Sequence, residues 1–150
     1  KPDSTGTFKD FLNKLAWRES RGNWKIINRY GYIGKYQLGK AVLTELRYEI
    51  NVDSFRVHPE IFPEKIQDSL AIQLVKLNKR RQIEYINKYK GKTLNGINVT
   101  ESGILAASHL LGGGNVRKWL RSNGKCCPED GNGVSIEEYL VLFSNYNINS

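Results

Sequence analysis

Apolar positions recur at helical spacing along most of the chain. Phe8, Phe11, Leu12 and Leu15 fall at i, i+3, i+4 and i+7, which predicts an amphipathic helix running to about Arg18–Ser20. The pattern then breaks. Gly22, Gly31, Gly34 and Gly39 punctuate residues 21–40, a stretch rich in Tyr and Asn that reads as loop or short hairpin. A helix is expected from about Ala41 to Glu49. Pro59 and Pro63 bracket a loop, and Pro63 suits the start of a long helix because its missing N–H has no intrahelical partner there. On that helix Ile66, Leu70, Leu74 and Leu77 line one face, Ile83 and Ile86 continue it, and Gly91 stops it.

Asn98 and Glu101 have the spacing of a capping box and open a helix over Ser102–Leu111. Ile104, Leu105, Ala106 and Ala107 make it apolar nearly all round, so it is expected to be buried. Gly112-Gly113-Gly114 ends it, and Val116, Trp119 and Leu120 begin another turn of helix. Ser135 and Glu138 repeat the capping-box spacing ahead of Leu140 and Phe143. The sum is a mainly α single domain, residues 1–150, of six or seven helices. At most one small β-hairpin is expected, in the stretch after Glu19.

Composition narrows this picture. Hydrophobic residues make up 39% and charged residues 25% of the 150 residues, an ordinary globular balance. No apolar run approaches the ~20 residues of a membrane-spanning helix. Met is absent, position 1 included, so the sequence is expected to be a mature form or an excised piece. Lys+Arg number 23 and Asp+Glu 15, a net charge of +8. That charge suits an acidic partner: nucleic acid, an anionic membrane surface or an anionic wall polymer. Lys76, Lys79, Arg80 and Arg81 cluster as the wet face of a helix. Cys126 and Cys127 are adjacent, with Cα atoms only about 3.8 Å apart, which is short for a disulfide between them. Free thiols or bonds to another chain are expected. With only His58 and His109 besides, no metal site is expected.

Glu19 is the leading chemical candidate. It closes the first helix, follows Trp17 and precedes a segment holding Trp24, Tyr30, Tyr32 and Tyr36. A carboxyl group among aromatic rings and poor in water has its pKa raised, the condition for a general acid at neutral pH. Gly31, Gly34 and Gln37 follow at fixed spacing. Later, Ala106-Ala107-Ser108-His109-Leu110-Leu111 runs into the glycines and on to Trp119. Together these segments resemble the soluble-lytic-type lytic transglycosylases of the lysozyme-like superfamily. That family reads Glu-Ser, then Gly-x-x-Gly-[Leu/Tyr]-x-Gln, then Ala-Ala-Tyr-Asn-Ala-Gly and a glycine turn. The likeness spans roughly residues 10–146, with Asp130-Gly131-Asn132-Gly133 through Tyr139 resembling the end of phage-type relatives. Tyr36 stands where many relatives have Met, Asn28 where they often have Ser, and Ser108-His109 replace Tyr-Asn.

The resemblance implies a lysozyme-like fold and cleavage of the MurNAc-β-1,4-GlcNAc bond of peptidoglycan, by a lytic transglycosylase or a muramidase. Glu19 is the implied catalytic residue. Ser20, Asn28, Tyr32, Tyr36, Gln37, Ser108 and His109 are the candidate substrate-binding residues. Ser20 is expected to brace Glu19, and His109 either touches substrate or is a satisfied histidine. Glycosidases commonly pair two carboxylates, yet residues 20–44 contain no Asp or Glu. One carboxyl group leaves two routes. Either the substrate's acetamido group assists and the 6-hydroxyl closes a 1,6-anhydro ring, or a water held by side chains such as Asn28 attacks.

No cofactor and no metal is expected. The expected partner is the glycan strand, not nucleic acid, and the chain is expected to act as a monomer. The expected location is secreted or periplasmic, with a phage-encoded or delivered enzyme also fitting. Asp130-Gly131-Asn132-Gly133 is a turn rather than a calcium loop, since Pro128 and Tyr139 occupy places an EF-hand gives to ligands. Two further classes stay open: a non-catalytic glycan-binding module on the same fold, and a basic nucleic-acid binder. Salt-resistant binding to sacculi but not DNA separates them.

Overall fold

The computed structural model describes residues 5–149. They form seven α-helices, one 3-10 turn and one two-stranded sheet. The helices are α1 (Phe8–Ser20), α2 (Lys40–Glu45), α3 (Val52–Val57), α4 (Glu64–Tyr89), α5 (Glu101–Leu111), α6 (Gly113–Arg121) and α7 (Ile136–Leu142). The 3-10 turn is Pro59–Ile61, between α3 and α4. Strands β1 (Thr93–Leu94) and β2 (Ile97–Asn98) pair antiparallel, with Thr93 opposite Asn98. The chain packs as two compact units, one of Leu12–Leu74 and one of the residues through Phe11 together with those from Val75 onward. The boundaries fall inside α1 and inside α4.

In the unit that holds the C-terminal half, α5 is buried from Ser102 to Ser108, as its all-round apolar pattern predicts. It packs against α6 and α7. Gly103 sets the spacing to α7: a Cβ there would lie 2.9 Å from the Leu140 carbonyl oxygen. Phe11, Tyr139, Phe143 and Tyr146 form an aromatic cluster, with Phe11 edge-on to Phe143 at 5.5 Å. Trp119 is fully buried, and its indole N–H donates to Glu137 Oε2 at 3.0 Å.

Several helix starts differ from the sequence reading. The cap of α5 is Thr100, whose hydroxyl accepts from the Gly103 N–H, and not Asn98. Glu101 pairs instead with Lys79 at 2.8 Å. Only Gly112, at φ 83°, breaks the chain between α5 and α6; Gly113 and Gly114 are the first turn of α6. Ser135 caps α7 as its spacing predicts, accepting from Glu138 N–H. Helix α3 was not anticipated, although Asn51 caps it by accepting from Ser54 N–H.

The hairpin also lies elsewhere. The paired strands flank Asn95-Gly96, whose φ values of 50° and 76° give the two-residue turn that suits strand twist. Residues 21–39 form turns with isolated bridges, Ile27 to Ile33 and Ile33 to Leu38. The buried face of α4 is largely the expected one. Leu70, Leu74 and Ile86 are buried as the ladder predicts, Ile66 and Leu77 are half-buried, and only Ile83 of that set is exposed, at 41%. Gln67, Asn78 and Gln82 are buried beside them, polar residues that an apolar ladder does not reveal.

Candidate active site

Glu19 is half-buried in the last turn of α1. The helix stops immediately after it because Arg21 and Gly22 are both left-handed, at φ 58° and 78°. Their N–H groups return to the Trp17 and Ala16 carbonyls. Trp17, one turn earlier, is 54% exposed and carries the Arg21 guanidinium 4.8 Å from its ring centre.

Ser20 braces this turn. Its buried hydroxyl lies 2.7 Å from the Lys35 carbonyl and 3.1 Å from the Ala16 carbonyl. It thus ties the end of α1 to the loop 15 residues on. Its bracing role is the one the sequence suggested, and its hydroxyl proton is directed at backbone rather than outward.

A single side chain organises the rest of that loop. Gln67 of α4 is 1% exposed. Its carbonyl accepts from Lys35 N–H at 2.7 Å, and its amide donates to the Trp24 and Phe62 carbonyls at 2.9 and 2.8 Å. Gly34 sits against this carboxamide: a Cβ there would overlap Gln67 Oε1, and its φ is +81°. The glycine is required twice, by backbone and by space.

Tyr36 points into the core, 2% exposed, and its hydroxyl donates to Asp68 at 2.8 Å. Burial, then Asp68, holds its pKa well above the ordinary tyrosine range. The expected position on a sugar subsite is therefore corrected: Tyr36 anchors the loop. Lys35 Nζ bridges Glu64 at 3.1 Å and Asp68 at 3.0 Å. Burial alone would lower the Lys35 pKa, but its bonds to Asp68 and Glu64 outweigh it and the net shift is upward.

Gln37 is also directed inward. It is 9% exposed, has φ +54°, and donates from Nε2 to the Gly34 carbonyl at 3.0 Å. Asn28 Oδ1 accepts from Tyr30 and Tyr32 N–H at 2.8 and 3.0 Å, an Asx turn that shapes the loop tip. Tyr32 is 46% exposed, with its ring beside Gly39. Of the expected contacts in this unit, Tyr32 is exposed and Asn28 is half-buried at the same loop tip as the exposed Tyr30.

Ser108 and His109 belong to the other unit. Ser108 is buried; its hydroxyl donates to the Ile104 carbonyl at 2.8 Å and accepts from Gln82 Nε2 at 3.1 Å. That corrects its expected role as a substrate contact. Gln82 also bonds the Gly113 carbonyl, and Arg117 donates to its Oε1 at 3.0 Å. This network holds the α5–α6 turn. His109 is half-buried in the last turn of α5.

Gln67, Asp68, Gln82 and Arg117 were missed by the sequence reading. The available signal was polar residues falling at the inward register of a long helix. Asp130 Oδ1 accepts from Asn132 and Val134 N–H, so the Asp130–Gly133 segment is a turn as read. Cys126 and Cys127 are exposed free thiols. Among the described residues, no group of three His, Cys, Asp or Glu is clustered, and no helix is long and apolar enough to cross a membrane. Compared with known proteins, the chain matches no family model, no curated protein and no solved structure.

Proposed function

We propose that this chain has a lysozyme-like fold and cleaves peptidoglycan glycan strands at the MurNAc-β-1,4-GlcNAc bond. In this reading Glu19 is the single general acid and base. The observation that carries it is the setting of Glu19. It sits at the last turn of a helix, followed by a loop whose Gly34 and Gln37 each have a backbone reason for their place in the motif. Asn28 and Tyr32 contact the strand from the loop tip. Ser20, Gln37 and Ser108 hold backbone, and Tyr36 anchors its loop through Asp68.

The chemistry follows from having one carboxyl group in that segment. Glu19 donates its proton to the glycosidic oxygen as the C1–O bond breaks. The neighbouring acetamido oxygen bonds to C1 and spreads the positive charge. The sugar's 6-hydroxyl then attacks C1, the bond from C1 to the acetamido oxygen breaks to restore the acetamide, and the hydroxyl proton passes to Glu19, giving a 1,6-anhydro product. A water attacking in place of the 6-hydroxyl gives the hydrolysed end. The enzyme would work secreted, in the periplasm, or delivered to a wall from outside.

The test is mass spectrometry of soluble products from purified peptidoglycan, with Glu19→Gln alongside. Products one water lighter than reducing-end muropeptides identify a transglycosylase; reducing ends identify a muramidase. Glu19→Gln should abolish both. Undiminished activity in that variant would sink the reading. Binding without products, on acetylated and deacetylated wall alike, would leave the non-catalytic glycan-binding module.

A further inference from the structure

A second concavity, of about 180 Å³, lies on the C-terminal part of α4 and is lined by Glu84, Tyr85, Lys88, Tyr89 and Arg121. Its floor is aromatic: Tyr85 and Tyr89 lie one helical turn apart, nearly parallel at 17°, with ring centres 6.1 Å apart. Cations converge on this floor. Lys88 and Lys92 sit 5.3 and 5.5 Å from the centre of Tyr89, and the Arg121 guanidinium sits 5.9 Å from that of Tyr85. Arg121 also donates one N–H to the Tyr85 hydroxyl at 2.8 Å. That bond uses one of its five donors and fixes the plane of the guanidinium. It leaves the Tyr85 O–H proton free to donate outward.

The polar rim is unequal. Arg121, Lys88 and the Tyr85 hydroxyl are donors. Glu84 is the one lining carboxylate, and among the described residues it forms no ion pair with Lys88 although they are four residues apart. A set of donors around cations calls for an oxyanion. An aromatic floor suits a ring whose C–H bonds face the negative π-surface. A lone carboxylate beside them suits a hydroxyl donor. One chemistry meets all three.

We propose that this concavity binds a single sugar ring carrying an oxyanion, its acidic group on Arg121 and Lys88, its ring on the half-buried Tyr85, which the buried Tyr89 backs, and a hydroxyl on Glu84. Glu19 is not among its lining residues, and the proposal does not depend on the activity proposed for that residue. A sugar carboxylate and a sugar phosphate share the chemistry, and the experiment separates them.

The test is titration of the whole chain, followed by NMR, with N-acetylmuramic acid, glucuronic acid and glucose 6-phosphate. N-acetylglucosamine, acetate and a nucleoside monophosphate are the controls. None of these has a bond the proposed enzyme would cut, so the result is independent of Glu19. The acidic sugars should shift resonances of Tyr85, Tyr89 and Arg121, and the best of them names the oxyanion. Arg121→Gln, at an exposed position, should weaken binding by about tenfold. Glu84→Ala should weaken the acidic sugars while leaving acetate binding the same or tighter. Binding of acetate as strong as that of the sugars, tighter binding of the nucleotide, or no response to Arg121→Gln would overturn the proposal. So would an absence of any shift at these residues. Unchanged shifts elsewhere in the variant spectra check that it folds.

Discussion

Gly31 and Gly34 are equivalent in the motif and different in the fold. Both have positive φ, 85° and 81°. Around Gly31 a Cβ would meet open space, whereas at Gly34 it would displace the Gln67 carboxamide. Gly31→Ala is therefore expected to cost about 1 kcal/mol, from backbone strain alone. Gly34→Ala adds the loss of hydrogen bonds to Lys35, Trp24 and Phe62 and should cost roughly 3 kcal/mol. Urea unfolding of the two variants measures the difference. Equal losses would mean that the Gln67 junction contributes nothing beyond the strain. The same contrast explains what could be read of the site residue by residue. Glu19 and the glycines were legible because their spacing is a pattern in one dimension. The inward turn of Tyr36, and the engagement of Ser20 and Ser108 with backbone carbonyls, depend on Asp68, Lys35 and Ile104. Those partners are remote in sequence or carry no side-chain signal.

At the level of elements, the start of α4 is joined to the loop before it by ionisable groups as well as by Gln67. Lys35 and Tyr36 both have raised pKa values in the fold. A group whose folded pKa is raised contributes stability that is present below its unfolded pKa. For these residues that means below about pH 10 to 10.5. Above that, the unfolded chain releases protons that the folded chain retains, so it binds fewer and stability falls as pH rises. Urea unfolding from pH 7 to 11 should show this loss beginning near pH 10. Tyr36→Phe should make the decline shallower, because one of the two groups is gone; an unchanged slope would remove Tyr36 from the account. The elements themselves were legible where periodicity was clear, as in α1 and α5, and most sharply in α7, where the cap agreed with it. Helix α4 was legible in length, but Gln67, Asn78 and Gln82 occupy its inward face, and an apolar ladder cannot reveal polar residues such as Gln67 and Gln82 that are buried because they are bonded. Helix α3, only six residues long, offered too little repeat for a period to register. The hairpin at Asn95-Gly96 was available from its turn pair and was overlooked in favour of the longer glycine-rich stretch.

Across the molecule, the net charge of +8 is not spread evenly. Residues 12–47 carry eight Lys or Arg and two carboxylates, while residues 48–74 carry two and five. The first stretch also holds Trp17, Tyr30 and Tyr32, all about half exposed, with Arg21 and Arg29 lying over rings. If Glu19 works on an anionic wall, these cations should supply the long-range attraction, since exposed charges act over about a Debye length and are screened by salt. The expectation can be checked with Glu19→Gln protein bound to purified sacculi and released by a salt gradient. Two double variants remove the same amount of charge: Arg21→Gln with Lys25→Gln, and Arg56→Gln with Lys65→Gln. The first pair should release at distinctly lower salt than the parent. The second should release close to it, because Arg56 already pairs with Asp53 at 3.1 Å and lies in the acidic stretch. Equal shifts in the two would mean that only the total charge of the molecule matters, and that the stretch around Glu19 has no special part in finding the wall.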